Sequence, residues 1–158
     1  MNASNLLTVV EYKPEYARDF YLITKEWVEG MFGLEEIDRH YIEYPQENII
    51  DKGGDIFFVQ HNDKLIGTAA LVKCSEKDTL ELIKMGVYAK ARGLKAGQVL
   101  MDESIRRSRA MGAKKMYLET HTSCVAAIDM YYKAGFVDAP VHQGCEYERC
   151  NLAMELVL

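Results

Sequence analysis

The sequence predicts one α/β domain whose sheet is mostly antiparallel and holds one parallel crossover. Three observations predict it. Residues 56–88 hold three β-forming runs separated by short polar turns, the pattern of an antiparallel meander. A glycine turn, Arg92-Gly93-Leu94-Lys95-Ala96-Gly97, then leads from the last run into an amphipathic helix. Beyond that helix the apolar run Lys115 to Thr120 reads as a further strand, which the crossover rule places parallel to the strand before the helix.

Taken in order, Leu6 to Tyr12 is rich in β-formers and reads as a first strand. Pro14 opens a helix at the position where its missing N–H costs nothing. Along that helix Tyr16, Phe20, Ile23, Trp27 and Met31 form one aromatic stripe, whose far end, Trp27 to Phe32, is a candidate pocket wall. Leu34 to Ile50 is polar, loosely helical and broken at Pro45, between Tyr44 and the rest, which suits a mobile pocket lid. Lys52 to Asp55 is a turn, Ile56 to Gln60 a buried strand, and His61 to Lys64 a hairpin into the strand Leu65 to Lys73. Thr79 to Tyr88 completes the meander.

The central helix presents Gly97, Leu100, Met101, Ser104, Ile105, Ser108 and Met111 on one face and mostly charged residues on the other. Asp102 with Arg106 and Glu103 with Arg107 are spaced to pair at i, i+4. Gly112 supplies the stop. Thr122 or Ser123 is placed to cap a helix from Cys124 to Lys133 that Gly135 ends. Phe136-Val137 and Leu152 to Val157 read as final strands around a loop from Ala139 to Glu148. The predicted order is therefore β-α-α-β-β-β-α-β-α-β-β, with about six or seven strands and flanking helices.

Composition narrows the function classes. A chain of 158 residues is one domain of ordinary size, without a repeat or linker, so residues 1–158 are read together. No run approaches the roughly 18 apolar residues of a membrane span, and no basic and apolar leader opens the sequence, so the expectation is a cytoplasmic protein without a membrane partner. The net charge of −5 argues against nucleic acid. Cys74, Cys124, Cys145 and Cys150 show no metal-ligand spacing, and no metal is expected.

The glycine turn carries the first chemical reading. Gly93 can adopt positive φ, and Gly93 and Gly97 let backbone approach a ligand closely. Unpaired N–H groups at the start of the next helix then face outward with the positive end of its dipole, which makes an anion site suited to phosphate.

The order of elements, this turn and the segment Ala127-Ile128-Asp129-Met130-Tyr131-Tyr132-Lys133-Ala134-Gly135-Phe136 together resemble the GNAT superfamily of N-acetyltransferases. The resemblance covers nearly the whole chain and is strongest from Glu81 to Phe136. It implies a GNAT fold, a twisted mixed sheet, and acetyl-CoA as cosubstrate with its pyrophosphate on Arg92, Gly93, Leu94, Lys95, Ala96, Gly97 and Gln98. Lys95 stands where the family usually has its middle glycine, and its ammonium is able to pair with phosphate. Met85, Gly86 and Val87 are carried over as main-chain contacts to the pantetheine arm and acyl carbonyl, with Gly86 the expected break in its strand. A main-chain N–H there would also stabilise the oxyanion.

Tyr131 matches the family's tyrosine that protonates the leaving thiolate, a role a phenol of pKa about 10 can fill. Cys124 and Ala127 share its helix face and are expected beside the cofactor, although Cys124 replaces a usual Asn. Glu81, on a strand that in related enzymes carries a glutamate used as base, is the first candidate to take the amine's proton, and its alternation places it with Ile83 and Met85. His121 is the second.

The implied reaction is acetyl transfer from acetyl-CoA to a primary amine by direct attack in a ternary complex. A non-catalytic acyl-CoA-binding regulator is the alternative. Acceptor recognition is expected from Trp27 to Phe32, Tyr41 to Tyr44 and His142 to Tyr147, with Glu29, Glu35, Glu36, Glu43 and Glu146 suited to a cationic amine or peptide N-terminus. Dimers through a sheet edge or a helix are common in the family, so a homodimer is one expected assembly.

Overall fold

The computed structural model describes residues 6–141 and 147–158. Its elements are β1 (Thr8–Glu11), α1 (Ala17–Met31), α2 (Glu36–Glu43), β2 (Asp55–His61), β3 (Lys64–Lys73), β4 (Thr79–Val87), α3 (Ala96–Ala110), β5 (Lys115–Thr120), α4 (Val125–Ala134), β6 (Val137–Ala139) and β7 (Leu152–Val157). This is the order the sequence predicts, with single 3-10 turns added at Pro14–Tyr16 and Ala89–Ala91.

Seven strands form one sheet in the order β1-β2-β3-β4-β5-β7-β6. Among the described strands only β4 and β5 run parallel, joined by the crossover through α3. Their pairing covers Thr79 with Lys115, Leu80 with Met116 and Glu81 with Tyr117, and then stops. The cause lies in β4. Its ladder with β3 skips from Ile83 opposite Ala70 to Gly86 opposite Thr68, and Lys84 sits in the skip with φ +54°. A bulge bends its strand and sharpens the twist, which carries the second half of β4 away from β5.

The sheet is covered on both faces. Leu82, Leu100, Met101, Met116 and Leu118 belong to the core under α3 and α4, while Phe20, Ile23, Ile42, Phe58 and Ile83 belong to the core under α1 and α2. The opposite placement of Leu82 and Ile83 is the period-two alternation of a strand. Beyond the bulge this alternation reverses. Met85 packs with the α3 core although Ile83 packs with the α1 core, so the expected grouping of Glu81, Ile83 and Met85 on one face fails at Lys84.

Local expectations were corrected in other places. The segment after Pro45 is a π-helical turn, Gln46–Ile50, with Pro45 at its N-cap. Cys124, rather than Thr122 or Ser123, is the N-cap residue of α4, and no side chain caps it. Gly135 does end that helix, with φ +106°. On α3, Glu103 pairs with Arg107 at 3.4 Å, but Arg106 turns to Glu103 while Asp102 accepts a hydrogen bond from Gln98 at 2.8 Å. Arg107 is not on the solvent face: it is buried, with Nη1 2.8 Å from Asp55, a bond to Glu11, and its guanidinium over the Phe57 ring. It ties α3 to the β1–β2 edge of the sheet.

Candidate active site

Where β4 and β5 part, a cleft of about 1000 Å³ opens between Leu82–Val87 on one side and Leu118–Thr120 on the other. The separated strands leave main-chain groups of β4 without a β5 partner, available to an extended ligand. The turn from Arg92 to Gln98 forms one end of the cleft, and the start of α4 forms a wall.

At the turn, Gly93 has φ +89° and Lys95 has φ +65°. Lys95 therefore keeps the left-handed conformation a glycine would adopt freely, at a cost of roughly 1 to 2 kcal/mol for a residue with a Cβ. It is the N-cap of α3 and offers no side-chain cap, so the first N–H groups of the helix stay open. No acidic residue lies in that first turn. A Cβ on Gly97 would stand 3.1 Å from Met130 Cε, so this glycine serves the approach of α4 as well. The substitution of Lys95 thus preserves the backbone path that phosphate binding requires.

Arg92, Gly93, Lys95, Ala96, Gly97 and Gln98 all line the cleft, as do Met85, Gly86, Val87, Glu81, Cys124, Ala127 and Tyr131. Leu94 does not, because its side chain packs against the core under α3. His121 lines the cleft at the end of β5, with its ring against Phe32. Tyr131 is buried beside Phe136, and burial, with the neighbouring Cys124, pushes its phenol well above the ordinary tyrosine range. The group keeps its proton at any ordinary working pH, as a hydrogen-bond donor to a thiolate must.

Gly86 is not the break in its strand. The break in β4 is at Lys84, and Gly86 is required by Trp27: a Cβ there would lie 2.2 Å from the indole Nε1. Trp27 reaches the cleft from α1 together with Met31 and Phe32, as the aromatic stripe suggested. Tyr41 to Tyr44, Glu29, Glu35, Glu36 and Glu43 do not line it, and His142 to Glu146 lie outside the described residues. Tyr147 does.

Sequence reading missed the charged cluster at this end. Asp38 of α2 is fully buried and accepts from Arg149 Nη1 and Nη2, each at 2.8 Å, while also pairing with the buried Lys84. Arg149 Nη1 reaches Glu35 at 3.0 Å, and its guanidinium lies over the rings of Phe32 and Tyr147. Burial opposes Asp38's charge, but Arg149 and Lys84 prevail and hold its carboxyl down to about 2. Burial pulls the Lys84 ammonium down against the raising effect of Asp38. Glu35 is thus occupied by Arg149 rather than facing an acceptor. The one sequence signal is Lys84 itself, a charged residue inside the apolar run Leu82 to Val87, but nothing near it in sequence names Asp38 or Arg149 as its partners.

Among the described residues, no group of three or more His, Cys, Asp or Glu side chains is arranged to hold a metal, and no helix is long and apolar enough to cross a membrane.

The parting of β4 and β5, the open start of α3 at one end and the buried Tyr131 on the wall make a cleft suited to an extended ligand with an anionic end. The chain belongs to the acetyltransferase (GNAT) family, whose model matches residues 14–136, and the family uses acetyl-CoA as cosubstrate. Solved structures share the fold. A GNAT-family acetyltransferase from Staphylococcus aureus MU50 superposes with TM-score 0.82 at 21% identity, covering 95% of this chain and 98% of that one. An acetyltransferase from Streptococcus agalactiae 2603 gives 0.81 at 18% identity over 96% and 98%. The PaiA N-acetyltransferase of Thermoplasma acidophilum, in complex with coenzyme A, gives 0.74 at 16% identity over 97% and 99%. No curated protein matches the chain at a significant level.

Proposed function

We propose that this acetyltransferase transfers acetyl from acetyl-CoA to the nitrogen of a primary amine, on a small molecule or a peptide, by direct attack within a ternary complex. The observation that carries the reading is the free edge of β4 from Leu82 to Val87, which faces the cleft between the helix-start turn and Tyr131. The pyrophosphate lies on the N–H groups that open α3, with Arg92 and Lys95 beside it. The pantetheine arm runs along β4, and a main-chain N–H between Met85 and Val87 donates to the acyl oxygen as it gains charge.

The amine enters from the α1 side, between Trp27, Phe32, His121 and Tyr147. Glu81 receives its proton, directly or through water, and His121 is the alternative acceptor. The neutral nitrogen attacks the thioester carbon, the C–S bond breaks, and Tyr131 donates a hydrogen bond or its proton to the departing sulfur. Orientation on the cleft supplies much of the rate. The whole described chain acts as one domain in the cytoplasm, as a monomer or a homodimer.

Thermal unfolding with acetyl-CoA, free CoA and ATP tests the site, followed by a panel of amines and peptides with thiol-release detection. At about 100 times its dissociation constant a cofactor stabilises by roughly 2.7 kcal/mol. Stabilisation by acetyl-CoA with thiol release on an amine is the expected result. Stabilisation without release on any amine points instead to a binding regulator, and no stabilisation at millimolar acetyl-CoA overturns the reading.

A further inference from the structure

On the cleft wall the Trp27 indole packs directly against Gly86. The indole lies so close over the Gly86 backbone that a Cβ would come within 2.2 Å of Nε1 and 2.3 Å of Cδ1. Nε1 itself is buried without a hydrogen-bond partner, which leaves a donor with an unmet need on this wall. One turn further along α1, Phe32 packs edge-on against His121 at 5.8 Å between centroids. The end of α1 therefore reaches from the free half of β4 to the end of β5, roofing the gap between the diverging strands.

With the cosubstrate placed as proposed above, on which this inference rests, the thioester lies at Met85–Gly86. An acyl chain that grows beyond the carbonyl has two ways to go. Along the gap the strands close only where Glu81 and Tyr117 pair, four residues back from Met85. Across the gap it meets the Trp27 indole. The other face of the sheet is filled by Leu100, Met101 and Tyr131. We infer that Trp27 limits the acyl group this enzyme accepts by closing the gap across from β4, so that acetyl is taken in preference to longer chains.

Dissociation constants for free CoA and for acetyl-, butyryl- and hexanoyl-CoA, measured by calorimetry on wild type and Trp27→Ala, test this without knowledge of the acceptor. Wild type should bind hexanoyl-CoA at least about tenfold more weakly than acetyl-CoA, since an ill-fitting methylene costs a factor of that order or more. In Trp27→Ala that gap, with each affinity taken relative to free CoA on the same variant, should close or invert. Trp27→Phe, which keeps aromatic packing but shortens the ring system, carries the test if Trp27→Ala does not fold, and should recover butyryl-CoA before hexanoyl-CoA. Equal binding of acetyl- and hexanoyl-CoA by wild type, or unchanged selectivity in a folded variant, overturns the inference alone. Failure of free CoA and acetyl-CoA to bind at all overturns the cleft reading, and this inference with it.

Discussion

Lys84 and Asp38 form an ion pair in which both side chains are withdrawn from water, at relative exposures of 2% and 0%. Lys84 occupies the left-handed bulge of β4, and Asp38 lies 46 positions earlier on α2. The pair joins the kink that opens the cleft to α2, and Arg149 adds the segment before β7 through a two-pronged contact with the same carboxylate.

Removing that carboxylate should be severe. Asp38→Ala leaves Lys84 as a buried cation without its partner and the half-buried Arg149 with Glu35 alone, a loss that typically costs about 3 to 5 kcal/mol. Urea unfolding measures it. The double variant Asp38→Leu with Lys84→Met should be much less destabilised than the sum of its parts, because no unpaired cation remains at position 84. Additive losses would mean that the pair contributes nothing as a unit.

Acid should find the same residue. Asp38 titrates near 2 in the folded chain against an ordinary 3.8, so below pH 3.8 the unfolded chain binds more protons. Its stabilisation is complete above about pH 4 and is lost as the pH falls toward 2. Midpoints of thermal unfolding across that window should decline, and the decline should be shallower in the Asp38→Leu, Lys84→Met double variant.

Lys95→Gly should raise stability. Glycine adopts the φ of +65° without the Cβ penalty, worth up to about 1 kcal/mol after its greater unfolded-state entropy is counted. Acetyl-CoA should still stabilise the variant, because main-chain N–H groups supply the anion site. Its binding should weaken less with added salt, since one cation is gone. A fall in unfolding midpoint would show that the lysine conformation is not strained.

Tyr131→Phe separates chemistry from binding. With the phenol held protonated by burial, loss of its hydroxyl should lower kcat by roughly a hundredfold while the thermal shift from acetyl-CoA stays close to wild type. Thiol release at saturating cosubstrate reads the first quantity. An unchanged kcat would move the proton donor elsewhere.

Much of the cleft was legible because it rests on short-range chemistry. Gly93 and the turn to Gly97 mark the helix start by residue type, whereas Tyr131 was read from the family resemblance and helical spacing supplied only the face it shares with Cys124 and Ala127. The side chain of Leu94 turns away from the cleft because a turn residue's side chain answers to the core beneath it. Gly86 was read as a strand break because a glycine in a strand has two explanations, and only the position of Trp27 chooses between them.

The sequence by itself determined the order of the elements, the single parallel crossover and the family, since period, turn residues and caps act within a few positions of one another. Tertiary structure decided where β4 bends, that Met85 changes face, and that Asp38, Lys84 and Arg149 meet. These last contacts span 46 and 111 positions. No local propensity encodes them, because a buried charge is stable only where the fold delivers its partner.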